Sequence, residues 1–117
     1  MNFFEMLFGK PISTVCVNEL NDRLKNGKRP LMIDVRRPDE YRTGHIVGAK
    51  RIPLNELSSH MEDLPRNREI VCVCASGNRS GSATRMLVKA GFNAVNMKGG
   101  MNSWRQANLP VKKGNAP

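Results

Sequence analysis

Short apolar runs alternate with stretches of helical periodicity along most of the chain. The runs have the length of β-strands, and turn-forming residues lie between them. Strands that are separated by helical segments predict an α/β fold with a mainly parallel central sheet of about five strands, flanked by helices. The predicted strands are Ser13–Val17, Leu31–Val35, Lys50–Leu54, Glu69–Cys74 and Ala94–Met97.

The helical stretches follow from apolar spacing and from residues that begin or end helices. Asn18 is suited to cap a helix that carries Leu20 and Leu24 on one face. Pro38 suits the first turn of a helix, and Gly91 suits the end of one. The predicted helices are one after Asn18, a single turn at Pro38–Arg42, one from Asn55 through Leu64, one at Arg79–Ala90 and a short final one around Trp104.

The chain divides into one predicted domain and two short ends. Its length of 117 residues suits a single domain with its own core, which we place at residues 12–110. The apolar segment 1–11 holds three of the four phenylalanines. We predict that it packs on the domain as a short helical turn, and the alternative is docking to a partner or a membrane surface. Residues 111–117 are predicted to form a flexible basic tail.

Charge is distributed unevenly along the chain. The net charge is +9, yet all ten acidic residues lie at or before Glu69, so residues 70–117 hold only basic ones. Such a cationic half raises the local concentration of anions, although it is also compatible with a solvated basic face that only aids solubility. A nucleic-acid partner is disfavoured, because Phe92 and Trp104 are the only aromatic residues of that half and make no evident stacking platform.

Three cysteines stand at positions 16, 72 and 74. A low, odd number argues against a disulfide scaffold and fits a reducing compartment. The chain has no apolar run long enough to span a membrane, and its N-terminus lacks the pattern of a signal peptide. We therefore expect a cytoplasmic protein. Cys16 is predicted to be a buried structural thiol, and no metal or cofactor is expected, because no cluster of histidine and cysteine ligands is evident.

The strongest chemical signal is the segment Cys-Ala-Ser-Gly-Asn-Arg-Ser between a predicted strand and a predicted helix. In parallel sheets, ligands bind beyond the carboxyl ends of the strands. A cysteine is a good nucleophile as its thiolate, and loop N–H groups, the positive end of the following helix and the charge of Arg79 can favour that form. We predict that Cys74 is the nucleophile, in a cradle for one anionic sulfur or small oxyanion that is formed by Ala75, Ser76, Gly77, Asn78, Arg79 and Ser80.

This loop resembles the active-site loop of the rhodanese-like sulfurtransferases. Other segments resemble the family in order and spacing, namely Asp34-Val35-Arg36, Glu40-Tyr41, Gly44–Ala49, Ile52-Pro53 and Gly99-Gly100 with Trp104. The resemblance covers roughly residues 12–110 and implies a rhodanese-like three-layer fold. It also implies a persulfide on Cys74, which takes sulfur from a small anionic donor such as thiosulfate. The implied acceptor is cyanide in assays, and a thiol or a thioredoxin-like protein in cells.

The sequence departs from the family pattern at two positions. Val73 stands where the family often has tyrosine, and Cys72 is an additional thiol. Because residues i and i+2 of a strand share a face, Cys72 is predicted to lie one step below Cys74. We favour a buried apolar role for Cys72, and the alternative is a resolving thiol that accepts the sulfur or protects Cys74 as a disulfide.

Polar residues after the second predicted strand form a further candidate set. Asp34 and Arg36 lie at a neighbouring strand end, where they are predicted to support the loop or to bind the donor. For Glu40 and His45 we prefer a purely structural role.

Two other functions stay open. Cysteine-dependent phosphatases and arsenate reductases also place a cysteine and an arginine around an oxyanion. Protein tyrosine phosphatases, however, use Cys-x5-Arg, whereas four residues separate Cys74 from Arg79, and this tighter cradle suits sulfur better than phosphate. The other alternative is a non-catalytic binding or sulfur-carrier module of the same fold. The intact cysteine argues against the non-catalytic alternative.

Overall fold

The central layer is a single sheet of parallel strands. The computed structural model describes residues 2–8 and 11–117 of the chain. Its strands are β1 Thr14–Val15, β2 Leu31–Asp34, β3 Lys50–Arg51, β4 Ile70–Val73 and β5 Ala94–Met97. They are ordered β1-β5-β4-β2-β3, and every neighbouring pair is parallel. The predicted parallel sheet of about five strands is therefore confirmed.

Helices connect the strands and cover both faces of the sheet. The α-helices are α1 Phe3–Phe8, α2 Val17–Lys25, α3 Pro38–Thr43, α4 Leu57–His60, α5 Asn78–Lys89 and α6 Gly100–Gln106. Turns of 3-10 helix at Leu54–Glu56 and Met61–Asp63 flank α4. None of the helices in the described part of the chain is both long and apolar enough to cross a membrane.

Two apolar clusters hold the three layers together. Successive residues of a strand point to opposite faces, so β2, β4 and β5 contribute to both clusters. Ile33 of β2 and Cys72 of β4 pack with residues of α4 and α5 on one face. Met32 and Val71 pack with residues of α2 and α6 on the other. The three-layer arrangement that the sequence predicted is therefore present.

The carboxyl end of β4 lies in the middle of the sheet edge at which all five parallel strands end. β4 lies between β5 and β2, and the backbone N–H of Val35 donates to the oxygen of Val73 at 2.9 Å. After β2 the chain forms β3 at one edge of the sheet, returns across β2 to form β4, and continues to β5 on the other side of β4. Such a switch in strand order opens a crevice in parallel sheets, and Cys74 follows β4 directly at that crevice.

The prediction of a buried structural thiol at position 16 is wrong. Cys16 is exposed, and its backbone is extended at the N-cap of α2, which begins at Val17. The strand before it ends at Val15, so Asn18 lies inside the helix rather than at its cap. Cys16 is therefore a surface residue between two elements and not a core residue of a longer strand.

Two other predicted elements are shorter than the apolar pattern indicated. The third strand covers only Lys50–Arg51. The predicted helix from Asn55 through Leu64 is interrupted at Glu56 and His60, where φ is −106° and −103° and ψ is close to zero. This bridge-region backbone does not continue an α-helix, so the segment forms three short turns.

The two ends of the chain differ in their contacts. Phe3, Met6 and Leu7 of α1 share one helix face and are exposed by 57% or more, so the predicted packing on the domain is not found for these three side chains. At the other end, Lys112 exchanges two backbone hydrogen bonds with His45, at 2.8 and 2.9 Å. The flexibility of residues 111–117 stays a prediction.

Candidate active site

The backbone between β4 and α5 forms a tight loop around the side chain of Cys74. Gly77 ends this loop at the N-cap of α5, with φ of 101°. That left-handed conformation is strained for residues with a Cβ atom, which is why glycine stands here. The turn brings the N-terminal end of α5, whose first N–H groups have no partner within the helix, towards Cys74.

The sulfur of Cys74 accepts hydrogen bonds from the loop. The N–H of Gly77 lies 3.0 Å from Sγ, and the hydroxyl of Ser80 lies 3.2 Å from it. Burial by itself raises the pKa of Cys74, because no part of the residue is exposed. The Ser80 hydroxyl and the backbone N–H groups of Ser80, Gly77 and Ser76 outweigh burial, so the pKa lies below that of an ordinary cysteine.

The start of α6 supports the loop from the other side. The N–H of Met101 donates to the oxygen of Cys74 at 2.8 Å, and the N–H of Asn102 donates to that of Ala75 at 2.9 Å. Gly100 has φ of 59°, and a Cβ atom there would lie 2.5 Å from both of these oxygens. The approach is therefore close enough to require glycine, which explains the Gly-Gly segment before α6.

Arg79 is held by a carboxylate that the sequence analysis had given only a structural role. Its guanidinium donates to both oxygens of Glu40, at 2.7 and 2.9 Å. This hydrogen-bonded pair is the largest reason why the pKa of Glu40 falls to about 2. Glu40 also accepts from the backbone N–H of Arg37 at 3.0 Å. The predicted binding of a donor by Arg79 stays a prediction, and the charge of Arg79 is already partly balanced.

A cleft of about 440 Å³ opens beside the loop. It lies beyond the ends of β2 and β3, beside the first turn of α5, and combines apolar walls with two guanidinium groups. Its lining residues are Val35, Arg37, Pro53, Leu54, Asn55 and Arg79. A small anionic molecule fits this volume, and Arg79 belongs both to the cleft and to the predicted cradle.

Asp34 and Arg36 form a buried ion pair. The guanidinium of Arg36 donates to both carboxylate oxygens of Asp34, at 2.9 and 2.8 Å, and to the oxygen of Gly44 at 2.9 Å. The Arg36 side chain is 2% exposed, and the Asp34 side chain has no exposed surface. These contacts fix the chain after β2 and support a structural role for the pair rather than a direct contact with a donor.

Cys72 lies on the same face of β4 as Cys74, as predicted. It has no exposed surface, and this burial is the main reason why its pKa rises to about 11, against a weaker opposing effect of a hydrogen bond with Thr84. A thiol of this kind is a poor nucleophile. The environment therefore supports the apolar role over the resolving role.

Asn96 is the residue at this site that the sequence analysis missed. It stands in the otherwise apolar strand β5 and is 8% exposed. Its side chain accepts a hydrogen bond from the Ser80 hydroxyl and donates one to the oxygen of Gly77. A polar residue in a buried strand was a usable signal, because buried amides need partners.

Comparison with known proteins agrees with this geometry. The family model described as "Rhodanese-like domain" matches residues 17–107. The chain belongs to the rhodanese-like domain family. This rhodanese-like domain is 31% identical over 101 residues to a protein named "Sulfurtransferase" from Allochromatium vinosum, with 86% of the chain and 94% of that protein covered.

Two further relatives define the extent of the match. The rhodanese-like domain is 39% identical over 101 residues to the probable adenylyltransferase/sulfurtransferase MoeZ of Mycobacterium tuberculosis, covering 84% of the chain but only 26% of that longer protein. It superposes on a rhodanese-related protein from Thermoplasma volcanium with a TM-score of 0.77 and 33% identity, over 86% of this chain and 97% of the other.

The relatives give the general chemistry of this rhodanese-like domain. Sulfurtransferase names among homologues of similar length indicate a transferase that acts on sulfur. Within the described ranges, no three side chains of His, Cys, Asp or Glu come together in a way that could hold a metal ion.

Proposed function

We propose that the domain is a thiosulfate sulfurtransferase of the rhodanese type, which carries sulfane sulfur on Cys74 as a persulfide. The observation that carries this proposal is the pair of hydrogen bonds to Sγ, from the Gly77 N–H at 3.0 Å and from the Ser80 hydroxyl at 3.2 Å. Hydrogen bonds to the charged form stabilise a thiolate inside a buried site.

In the first step, the thiolate of Cys74 attacks the outer sulfur of an anionic donor such as thiosulfate. A bond forms between Sγ and that sulfur, the sulfur–sulfur bond of the donor breaks, and sulfite leaves with the electron pair. The negative charge of the thiolate now lies on the outer sulfur of the persulfide. N–H groups that face the loop interior are suited to hold this charge.

In the second step, a thiophilic acceptor removes the outer sulfur. The thiolate of a small thiol or of a thioredoxin-like protein attacks it, a new sulfur–sulfur bond forms, and the thiolate of Cys74 leaves. Cyanide reacts in the same way and gives thiocyanate. Neither step needs a proton from a general acid, because thiolates and sulfite are the leaving groups.

The structure offers less support for phosphate chemistry. A dianionic phosphate needs several donors, and a guanidinium is its usual bidentate partner. In this loop the guanidinium of Arg79 already donates to both carboxylate oxygens of Glu40. The four-residue spacing between Cys74 and Arg79 also leaves a smaller loop for the ligand.

Intact-mass spectrometry after treatment with thiosulfate tests the proposal. We expect the wild-type protein to gain one sulfur atom and to lose it when cyanide is added. The Cys74→Ser variant gains none, whereas the Cys16→Ser and Cys72→Ser variants, which serve as controls, still gain one. A wild type that gains no sulfur yet hydrolyses an aryl phosphate would favour a phosphatase, and a wild type that does neither would favour a binding module.

A further inference from the structure

The hydroxyl of Ser80 lies between two acceptors. Its Oγ is 3.2 Å from Sγ of Cys74 and 2.6 Å from Oδ1 of Asn96. All three residues are buried, so water does not supply further donors freely. A serine hydroxyl has a single proton, and it can therefore satisfy only one of the two acceptors at a time.

A second contact fixes the orientation of the Asn96 amide. Its Nδ2 donates to the backbone oxygen of Gly77 at 3.0 Å. Because a carbonyl oxygen only accepts, the NH2 group has to face Gly77, and Oδ1 has to face Ser80. In this orientation Oδ1 of Asn96 can accept a hydrogen bond from the Ser80 hydroxyl, but Asn96 cannot donate one to Ser80. The backbone N–H of Asn96 donates to the oxygen of Ser13 within the sheet, which holds the residue in place.

The direction of each hydrogen bond around Sγ depends on where the negative charge lies. In the neutral thiol, the S–H of Cys74 donates to Ser80, and Ser80 donates to Asn96. In the thiolate, the Ser80 hydroxyl has to turn to Sγ, which leaves Oδ1 of Asn96 without that donor. In a persulfide the charge lies on the outer sulfur, so the hydroxyl can turn back to Asn96.

We propose that Asn96 is a positioning residue that competes with Sγ of Cys74 for the hydroxyl proton of Ser80. It thereby favours the two states in which Sγ is uncharged, the thiol and the persulfide, over the thiolate. The persulfide part of this inference rests on the proposed function, whereas the thiol part rests on the geometry alone. Asn96 thus helps the thiolate to pass its charge to an incoming sulfur.

The pH dependence of Cys74 alkylation by iodoacetamide tests the competition. The measurement uses a Cys16→Ser background, because Cys16 is exposed. In Asn96→Ala the Ser80 proton is free for the thiolate, so we expect the midpoint to fall by about half a pH unit. In Asn96→Asp a carboxylate holds the proton more strongly and repels the thiolate, so we expect the midpoint to rise by about one unit.

Opposite shifts separate competition from a structural role. A residue that only kept the loop folded would move both midpoints in the same direction. We further expect the Asn96→Ala shift to disappear in a Ser80→Ala background, because the competition acts through that hydroxyl. Shifts of the same sign, or a shift that persists without the Ser80 hydroxyl, would overturn the inference. Thermal unfolding checks the fold of each variant, and Asn96→Val, which suits a strand, replaces Asn96→Ala if the latter does not fold.

The persulfide part has its own measurement. After loading with thiosulfate, we expect Asn96→Ala to lose the bound sulfur to excess thiol about two to five times faster than the wild type, because its persulfide is no longer favoured over the thiolate. Equal rates would contradict this part. If the wild type forms no persulfide at all, the proposed function fails, while the alkylation midpoints still decide the role of Asn96.

Discussion

Cys72 and Cys74 stand two residues apart, face the same side of the sheet and have no exposed surface, yet their thiols differ strongly. The pKa of Cys72 rises to about 11, whereas that of Cys74 falls below the ordinary value. Burial disfavours the thiolate at both positions. The difference comes from hydrogen-bond donors, which surround Cys74 because the strand has ended and the loop has begun. Loop geometry, rather than depth, therefore lowers the pKa of a buried cysteine.

Exchange of each thiol for a hydroxyl should show the largest difference between the two cysteines. We expect Cys74→Ser to abolish the formation of thiocyanate from thiosulfate and cyanide, because a serine hydroxyl does not form a persulfide. Cys72→Ser should keep most of the activity, since its side chain lies one step behind Cys74 on the same face of the sheet. A steady-state assay of both variants measures this. Loss of activity in Cys72→Ser with an intact fold would show that the second thiol takes part in transfer.

Movement of the loop should affect Cys74 and leave Cys72 in its strand. In Gly100→Ala, the new Cβ would lie 2.5 Å from the backbone oxygens of Cys74 and Ala75, so these atoms have to shift. We expect a loss of about 2 to 4 kcal/mol in the free energy of unfolding and a strong loss of sulfur loading.

Gly27→Ala is the matched control for this experiment. Gly27 also has a positive φ, of 75°, but a Cβ there would meet nothing within 4 Å. The control therefore measures the backbone strain without the clash, and we expect it to cost about 1 kcal/mol. Denaturant unfolding of both variants gives the comparison. Equal losses would mean that the contact between α6 and the loop is not tight.

Removal of one donor should bring Cys74 closer to the behaviour of Cys72. In Ser80→Ala the thiolate loses a hydrogen bond at 3.2 Å but keeps the one from Gly77. We expect the midpoint of alkylation to rise by about one pH unit, which slows the reaction at neutral pH up to about tenfold. The sign follows because the lost bond stabilises the charged form. An unchanged midpoint would mean that the backbone N–H groups alone stabilise the thiolate.

The contrast between local and distant contacts also explains what the sequence could predict. The parallel sheet follows from alternating apolar and helical segments, and the loop is contained within Cys74–Ser80. By comparison, the partner of Arg79 lies 39 residues away at Glu40, and the partner of Ser80 lies on β5 at Asn96. No local pattern links such residues, because only the folded topology brings them together.

The pair of Glu40 and Arg79 should have the smallest effect on the contrast between the two thiols. It holds the first turn of α5 from outside the loop, and although the charge of Arg79 interacts with Cys74, it is not among the main causes of the lowered pKa of Cys74. We expect Glu40→Gln to leave the alkylation midpoint of Cys74 nearly unchanged and to cost about 1 kcal/mol of stability at neutral pH. The cost is modest because the Arg79 side chain is 34% exposed and solvent screens the pair.

The pH dependence of this cost gives the sharpest check on the pair. The pKa of Glu40 falls from 4.5 to about 2 on folding, so its contribution to stability is fully present above pH 4.5 and is lost as the pH falls towards 2. The difference in unfolding free energy between the wild type and Glu40→Gln should therefore shrink over this range. Asp39→Asn is the control, because it alters a carboxylate that is 61% exposed. The hydrogen bond with Arg37 also lowers the pKa of Asp39, so this variant should show the same trend with a smaller amplitude. A constant difference for Glu40→Gln would mean that the guanidinium of Arg79 is not paired in solution, and Arg79 would then be free to bind the donor as the sequence analysis predicted.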